Sequence, residues 1–377
     1  MASKVTFQVL TRFLANPGSR LPLRSVQKVP HNVLTPFYAP NARFLHKSSC
    51  FAVHRSETQA AVNEGVKNED KTQGQPNQEK DLSRELINSL ALEEIDLNLY
   101  RGSNLWRPMG GRGAFGGQIV GQALAAAGMT KPEDALVHSL HCYFVKTGDT
   151  EVPVLYHVDR IRDGKSICTR TVNATQKSKT IMTMAVSYHK PEETSLDYQY
   201  KMPEVPSPED LPDYEDYLRS LLKCDDFPEK HKGTISKLLA NEVPVALKVI
   251  NPTAFMRLGG DEDPKLLFWI RAKGHIGDNE NIHHCVAAYL SDMMLLRSAM
   301  VPFPHFRVKM MASLDHAMWF HSPFQTDEWM LYECECPRSV SARSFTQGRF
   351  WRRDGVLACT VAQEGIIRGY TPEKSLH

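Results

Sequence analysis

Residues 139–164 read SLHCYFVKTGDTEVPVLYHVDRIRDG, and 176 positions further on residues 315–340 read DHAMWFHSPFQTDEWMLYECECPRSV. At that spacing Phe144 meets Phe320, Leu155 meets Leu331, Tyr156 meets Tyr332 and Arg162 meets Arg338. The same shift carries TIMTMAVSY (180–188) onto VLACTVAQE (356–364) without a gap. An unbroken register between strand-like segments marks two copies of one structural unit. Each copy places a helical segment (117–127; 281–296) ahead of β-rich runs with short turns such as Arg162-Asp163-Gly164 and Arg353-Asp354-Gly355. One helix with several antiparallel strands predicts an α+β unit, a sheet packed on a long helix, present twice.

The chain of 377 residues, 42% hydrophobic and 23% charged, is long enough for two or three domains. No stretch of it approaches the roughly 18 apolar residues of a membrane-spanning helix. Its net charge of +2 is unevenly placed: residues 1–56 hold eight basic residues and no acid, and the remainder, 37 basic against 43 acidic, carries −6. That balance argues against nucleic-acid binding, which needs clustered Lys and Arg.

An acid-free, Arg- and Ser-containing N-terminus predicts a mitochondrial transit peptide over 1–56, with Phe7, Leu10, Phe13 and Leu14 at helical spacing beside Arg12. Arg43-Phe44-Leu45-His46-Lys47-Ser48 resembles the two-step presequence cleavage pattern, so the mature chain is expected to begin near Val53. The sequence ends Lys374-Ser375-Leu376-His377 rather than in the peroxisomal Ser-Lys-Leu type of tripeptide, which leaves the peroxisome as the alternative location. Residues 57–82 lack aromatics and read as a disordered linker. Pro and acid concentrate at 191–215, so the expected domains are 83–190 and 236–370, joined by a linker over 191–235. The eight cysteines show neither CxxC nor a paired spacing, which predicts a reduced compartment and no structural metal.

Gly111-Arg112-Gly113-Ala114-Phe115-Gly116 matches G-x-G-x-x-G, but RGSNLWRPMG precedes it where a dinucleotide site needs a hydrophobic strand. It reads instead as a glycine-rich turn entering a helix. The helix's first N–H groups then face an anionic or carbonyl oxygen, or the glycines serve packing alone. Gly164-Lys165-Ser166 lacks the first glycine of a P-loop, since position 159 is Asp, and no G-x-S-x-G elbow occurs. His283 and His284 have no metal-ligand spacing around them and are expected to be solvated or capping.

Asp292 stands apart. In NIHHCVAAYLSDMMLL (281–296) it is the one acid inside an otherwise apolar run. A buried, unpaired carboxylate is costly or has a raised pKa, so the position suggests chemistry rather than structure.

FGGQIVGQAL (115–124), HSLHCYF (138–144), AYLSD (288–292), SLDHAMWFH (313–321) and VAQEGIIR (361–368) resemble the signatures of type II acyl-CoA thioesterases, a likeness covering roughly residues 86–370. The resemblance implies tandem (double) hot-dog domains. It also implies hydrolysis of medium- to long-chain acyl-CoA without a cofactor, and further association into a homo-oligomer. By the same resemblance Asp292 is the catalytic carboxylate, Ser313 the hydroxyl residue and Gln363 the amide. The 176 shift lays Gln363 on Ser187, and GQIVGQALAAAG holds no acid, so one catalytic set per chain is expected. Asp292 would then deprotonate a water held by Ser313 and Gln363, and that water would attack the thioester carbonyl. Two alternatives remain at this level. One is a hot-dog enoyl-CoA hydratase using Asp278 and His283, since Gly277–His283 (GDNENIH) approaches the G-D-x-N-P-L-H signature. The other is a non-catalytic acyl-CoA sensor.

Overall fold

A computed structural model describes residues 82–370 apart from 109, 110, 226, 228 and 259–261. The expected transit peptide and all but the last residue of the linker expected over 57–82 lie outside the described residues.

Alternation builds the sheet. In β5 (Ile167–Gln176) the side chains of Cys168, Arg170, Val172, Ala174 and Gln176 point inward and those between them are more exposed. This is the period-two pattern of a sheet with one covered face. The first half runs α1 (Leu82–Leu90), β1 (Leu92–Asp96), β2 (Leu99–Gly102), α2 (Gly116–Gly128), β3 (Leu136–Phe144), β4 (Val154–Asp163), β5 and β6 (Lys179–His189). After α3 (Tyr214–Leu222) and α4 (Glu229–Ala240), the second half runs β7 (Val245–Val249), α5 (Pro252–Met256), β8 (Lys265–Ala272) and α6 (Glu280–Ser291). A 3-10 helix (Leu295–Met300) follows, then β9 (Val308–Ser313), β10 (Asp315–Phe320), β11 (Met330–Val340), β12 (Arg343–Trp351) and β13 (Leu357–Gly369).

Among the described residues, thirteen strands form one sheet in the order β1-β2-β4-β5-β6-β3-β10-β13-β12-β11-β8-β7, with β9 added beside β13. The order reads the same from either end once each strand is replaced by its partner in the repeat. The halves meet where β3 pairs with β10, and there His141 lies opposite Ala317, its own counterpart at a spacing of 176. A pseudo-two-fold axis therefore passes through that pair, which supports the repeat independently of residue identities. Both Arg-Asp-Gly turns connect paired strands, one from β4 to β5 and one from β12 to β13.

Inside the sheet α2 and α6 pack against each other. Residues Gly117–Ala127 of α2 are all buried, including Gln118 and Gln122. A helix buried all round must satisfy its polar groups internally. Gln118 donates to Ser89 and Asn104 carbonyls, while Gln122 donates to Ser89 and accepts from the Tyr156 hydroxyl at 2.6 Å. A Cβ on Gly117 would lie 2.5 Å from the Tyr289 carbonyl oxygen, and one on Gly121 2.9 Å from that of Cys285. Since 117 meets 289 and 121 meets 285, the helices run antiparallel, and the glycines let their backbones touch.

The repeat is not uniform. The starts of α2 and α6 are 164 residues apart rather than 176, so the second half carries 12 extra residues between helix and sheet. They accommodate the 3-10 helix and β9. The domain boundary expected at 235/236 also needs correction, because it falls inside α4. Leu218, Phe227 and Ile235 of this region form their own buried cluster. The acidic and Pro-rich composition nearby masked the amphipathic helices.

Candidate active site

The helix expected over 281–296 is shorter: α6 ends at Ser291, Asp292 is its C-cap, and Met294 turns the chain with φ of +65°. Asp292 thus stands at the negative end of its own helix dipole, an unfavourable place for a carboxylate. The antiparallel packing compensates by bringing the positive end of α2 to the same point. The Gly117 N–H donates to Asp292 Oδ2 at 3.0 Å. A Cβ on Gly116 would sit 2.7 Å from that oxygen. The oxygen faced by the glycine-rich turn is therefore the protein's own carboxylate, contributed by the other half.

Ser313 ends β9, and its hydroxyl donates to Asp292 Oδ1 at 3.3 Å. Gln363, 1% exposed on β13, donates from Nε2 to Ser313 Oγ at 2.9 Å. The three residues singled out in the sequence are thus joined from α6, β9 and β13. The network then continues to residues that sequence reasoning missed. With its amide nitrogen on Ser313, Gln363 turns Oε1 to accept from His316 Nδ1 at 2.5 Å. The other ring nitrogen, Nε2, is 2.8 Å from Ser291 Oγ, and the Ser291 carbonyl accepts from the Tyr332 hydroxyl at 2.6 Å. Burial holds the His316 pKa below its ordinary value, although the Asp292 charge pulls it up. A neutral His316 protonated on Nδ1 leaves Nε2 as an acceptor beside the Ser291 hydroxyl, which also has the Ala288 carbonyl 2.9 Å away. The donors His316, Gln363 and Ser313 then each point toward Asp292, the arrangement in which consecutive hydrogen bonds polarise one another.

Burial raises the Asp292 pKa. His316, Gln363, the Gly117 N–H and Ser313 each pull it down, but the net direction is upward. The arrangement is a carboxylate able to take a proton, with a hydroxyl and an amide fixed beside it. Its sequence signals were partly visible: His316 lies within SLDHAMWFH and Ser291 immediately precedes Asp292.

His283 and His284 are buried rather than solvated, at 2% and 4% exposure. Asn279, not Asp278 or His283, caps α6 through its side chain. His283 Nε2 donates to the Gly277 carbonyl at 2.7 Å, and Nδ1 accepts from the Thr326 N–H at 3.0 Å. Both nitrogens pin loops, which leaves neither for hydratase chemistry. His284 packs edge-on against Phe320 and Phe324, and burial holds its pKa down at about 3. Among the described residues no three His, Cys, Asp or Glu side chains are grouped to hold a metal ion.

Comparison with known proteins matches both halves of the chain. Residues 242–366 match the family model described as acyl-CoA thioesterase, and 104–189 match that of the acyl-CoA thioesterase N-terminal domain. The chain is 49% identical over 291 residues to mouse acyl-coenzyme A thioesterase 8, covering 76% of this chain and 90% of that protein. It is 33% identical over 294 residues to acyl-CoA thioesterase 2 of Haemophilus influenzae, covering 76% and 98%. The crystal structure of an acyl-CoA thioesterase II from Mycobacterium marinum superposes with a TM-score of 0.61 at 32% identity, covering 76% of this chain and 99% of that one.

Proposed function

Because the chain belongs to the type II acyl-CoA thioesterases, with their double hot-dog fold, and so hydrolyses acyl-CoA thioesters, we propose that it does so with one site per chain, in which Asp292 is the general base. The observation that carries this is the convergence of Asp292, Ser313 and Gln363 from three separate elements. Asp292 takes a proton from a water held by Ser313 and Gln363. The water attacks the thioester carbonyl, forming a tetrahedral oxyanion, and collapse expels the CoA thiolate. The positive end of α2 lies at the same point and favours the developing negative charge. Gly128 and Met129, at the end of α2, stand where the second half has its acid, so the first half contributes this dipole rather than a second base.

The apolar residues around the acid suggest a medium- to long-chain substrate. Partly buried Met293 and Met294 pack on the main core next to buried Leu295, a setting in which apolar surface gains by leaving water. Thiol release measured with a colorimetric reagent is expected to give a higher kcat/KM for palmitoyl-CoA than for butyryl-CoA. The reverse order would remove the chain-length proposal and leave the site assignment standing.

The proposed location is the mitochondrion, on the acid-free composition of residues 1–56, with the peroxisome as the alternative, which a yeast relative's name, peroxisomal acyl-coenzyme A thioester hydrolase 1, supports. Residues 1–60 fused to a fluorescent protein are expected to enter mitochondria. Cytosolic or peroxisomal fluorescence would refute this.

A further inference from the structure

The phosphates of CoA need a cationic site at a fixed distance from the catalytic carboxylate, and one set of cations meets that description. Arg112 lies on the glycine-rich turn, four residues before Gly116, whose α-carbon faces Asp292. Its guanidinium crosses from the first half to donate to the Lys309 carbonyl on β9 at 3.3 Å. Lys309 is four residues before Ser313 on the same strand, which at the strand rise of about 3.3 Å per residue puts it roughly 13 Å from the catalytic hydroxyl.

Two more cations flank this edge. Arg307 precedes β9 and lies over the Tyr370 ring at 5.6 Å, while Arg368, on β13, donates to Met310 Sδ at 3.7 Å. All four are exposed, and among the described residues none of them makes an ion pair with a carboxylate. Other exposed or half-exposed cations, among them Arg101, Lys190, Arg343, Arg349, Arg352 and Arg353, do meet an acid. Positive charge is therefore left unneutralised along the strand that leads to Ser313, where it attracts phosphate. Between Lys309 and Ser313, Met311 is 47% exposed and shares by alternation the strand face of Ser313. It offers an apolar surface for the uncharged pantetheine arm.

We propose that Arg112 and Lys309, flanked by Arg307 and Arg368, bind the phosphate end of CoA, with the pantetheine arm laid along β9 past Met311 to the thioester at Ser313 and Asp292. This rests on the catalytic site assigned above. The test compares two substrates with the same acyl group, one carried on CoA and one on N-acetylcysteamine, which has the thioester but no phosphate. In the Arg112→Ala, Lys309→Ala protein, kcat/KM for acyl-CoA is expected to fall by about tenfold for each cation, the effect of losing about one charge-assisted contact. That for the N-acetylcysteamine thioester should stay within about twofold, as a surface change distant from the reacting atoms allows. Inhibition by free CoA should weaken in parallel, and the wild-type KM for acyl-CoA should rise with salt as exposed charges are screened. An equal fall on both substrates, or no change on either, overturns the phosphate site while leaving the catalytic assignment intact. Full activity of Asp292→Asn on the N-acetylcysteamine thioester overturns that assignment and the proposal with it.

Discussion

Asp292→Asn is expected to lower kcat by at least about 10²-fold, the loss typical of removing a positioned proton acceptor, in a protein that folds as well as the parent. The amide is nearly the same shape. Its oxygen can keep the Gly117 N–H bond, and its NH2 can donate to Ser313 Oγ, whose hydroxyl proton then turns away. Stability should change with pH in a defined sense. Burial raises the folded-state pKa of Asp292 above the ordinary value of 3.8. An acid shifted upward destabilises the fold as pH rises through the window between its unfolded and folded pKa values, because the unfolded chain then ionises more readily. Asp292→Asn removes this penalty. The variant should gain stability relative to wild type at neutral pH, and the gain should disappear as pH falls below the ordinary carboxylate range, as read by denaturant midpoints. A well-folded variant with full turnover would make the carboxylate structural.

Gln363→Ala is expected to be the second most damaging change. It costs turnover about 10²-fold, comparable with other groups that position a proton transfer, and it also costs stability. Removal of the amide strips the Nδ1 proton of His316 of its acceptor in a nearly dry site, a loss of roughly 1–3 kcal/mol. The two effects can be separated through His316 itself. In His316→Phe, Gln363 keeps its side chain but loses the donor that sets its amide orientation. kcat should then fall with KM little changed, because the ring touches Gln363 and Ser291 rather than substrate. Gln363→Ala combined with Asp292→Asn should cost less than the product of the separate losses, since members of one working unit are not additive. Multiplicative losses would show that Gln363 acts apart from the acid.

The double architecture was legible in the sequence because strands β3 to β5 and β10 to β12 keep the 176 register, and a change of register would have moved each side chain to the wrong face. β13 corrects the expected gapless match by one residue, since Phe144 pairs with Met182 while Phe320 pairs with Cys359 rather than Ala358. The helices hid their part of the symmetry. Their offset is 164 rather than 176, and the 12 intervening residues carry no signal that they lead to the strand ending in Ser313. Asp292 was legible as a charge in an apolar run, but its position was not. A C-cap aimed at the N-terminus of a helix 175 residues earlier is a contact between distant segments, and local periodicity is silent about it. His316 and Ser291 escaped notice for a related reason: a neutral buried histidine looks like any core residue until its two nitrogens are seen to be committed.

The most direct test of Asp292 as the base is the pH dependence of kcat/KM, which reports the free enzyme, for wild type and Asp292→Asn side by side. The wild-type rate should fall on the acidic side with a midpoint above 3.8, the direction in which burial moves Asp292. Asp292 and His316 each act on the other's charge, His316 pulling the carboxyl down and Asp292 pulling the imidazole up, so the limb reports both. In the variant, however, His316 loses the negative charge that raises it, and its titration retreats to lower pH. The account predicts a slow variant with no acidic limb in the wild-type range. An acidic limb that persists unchanged in Asp292→Asn would contradict it.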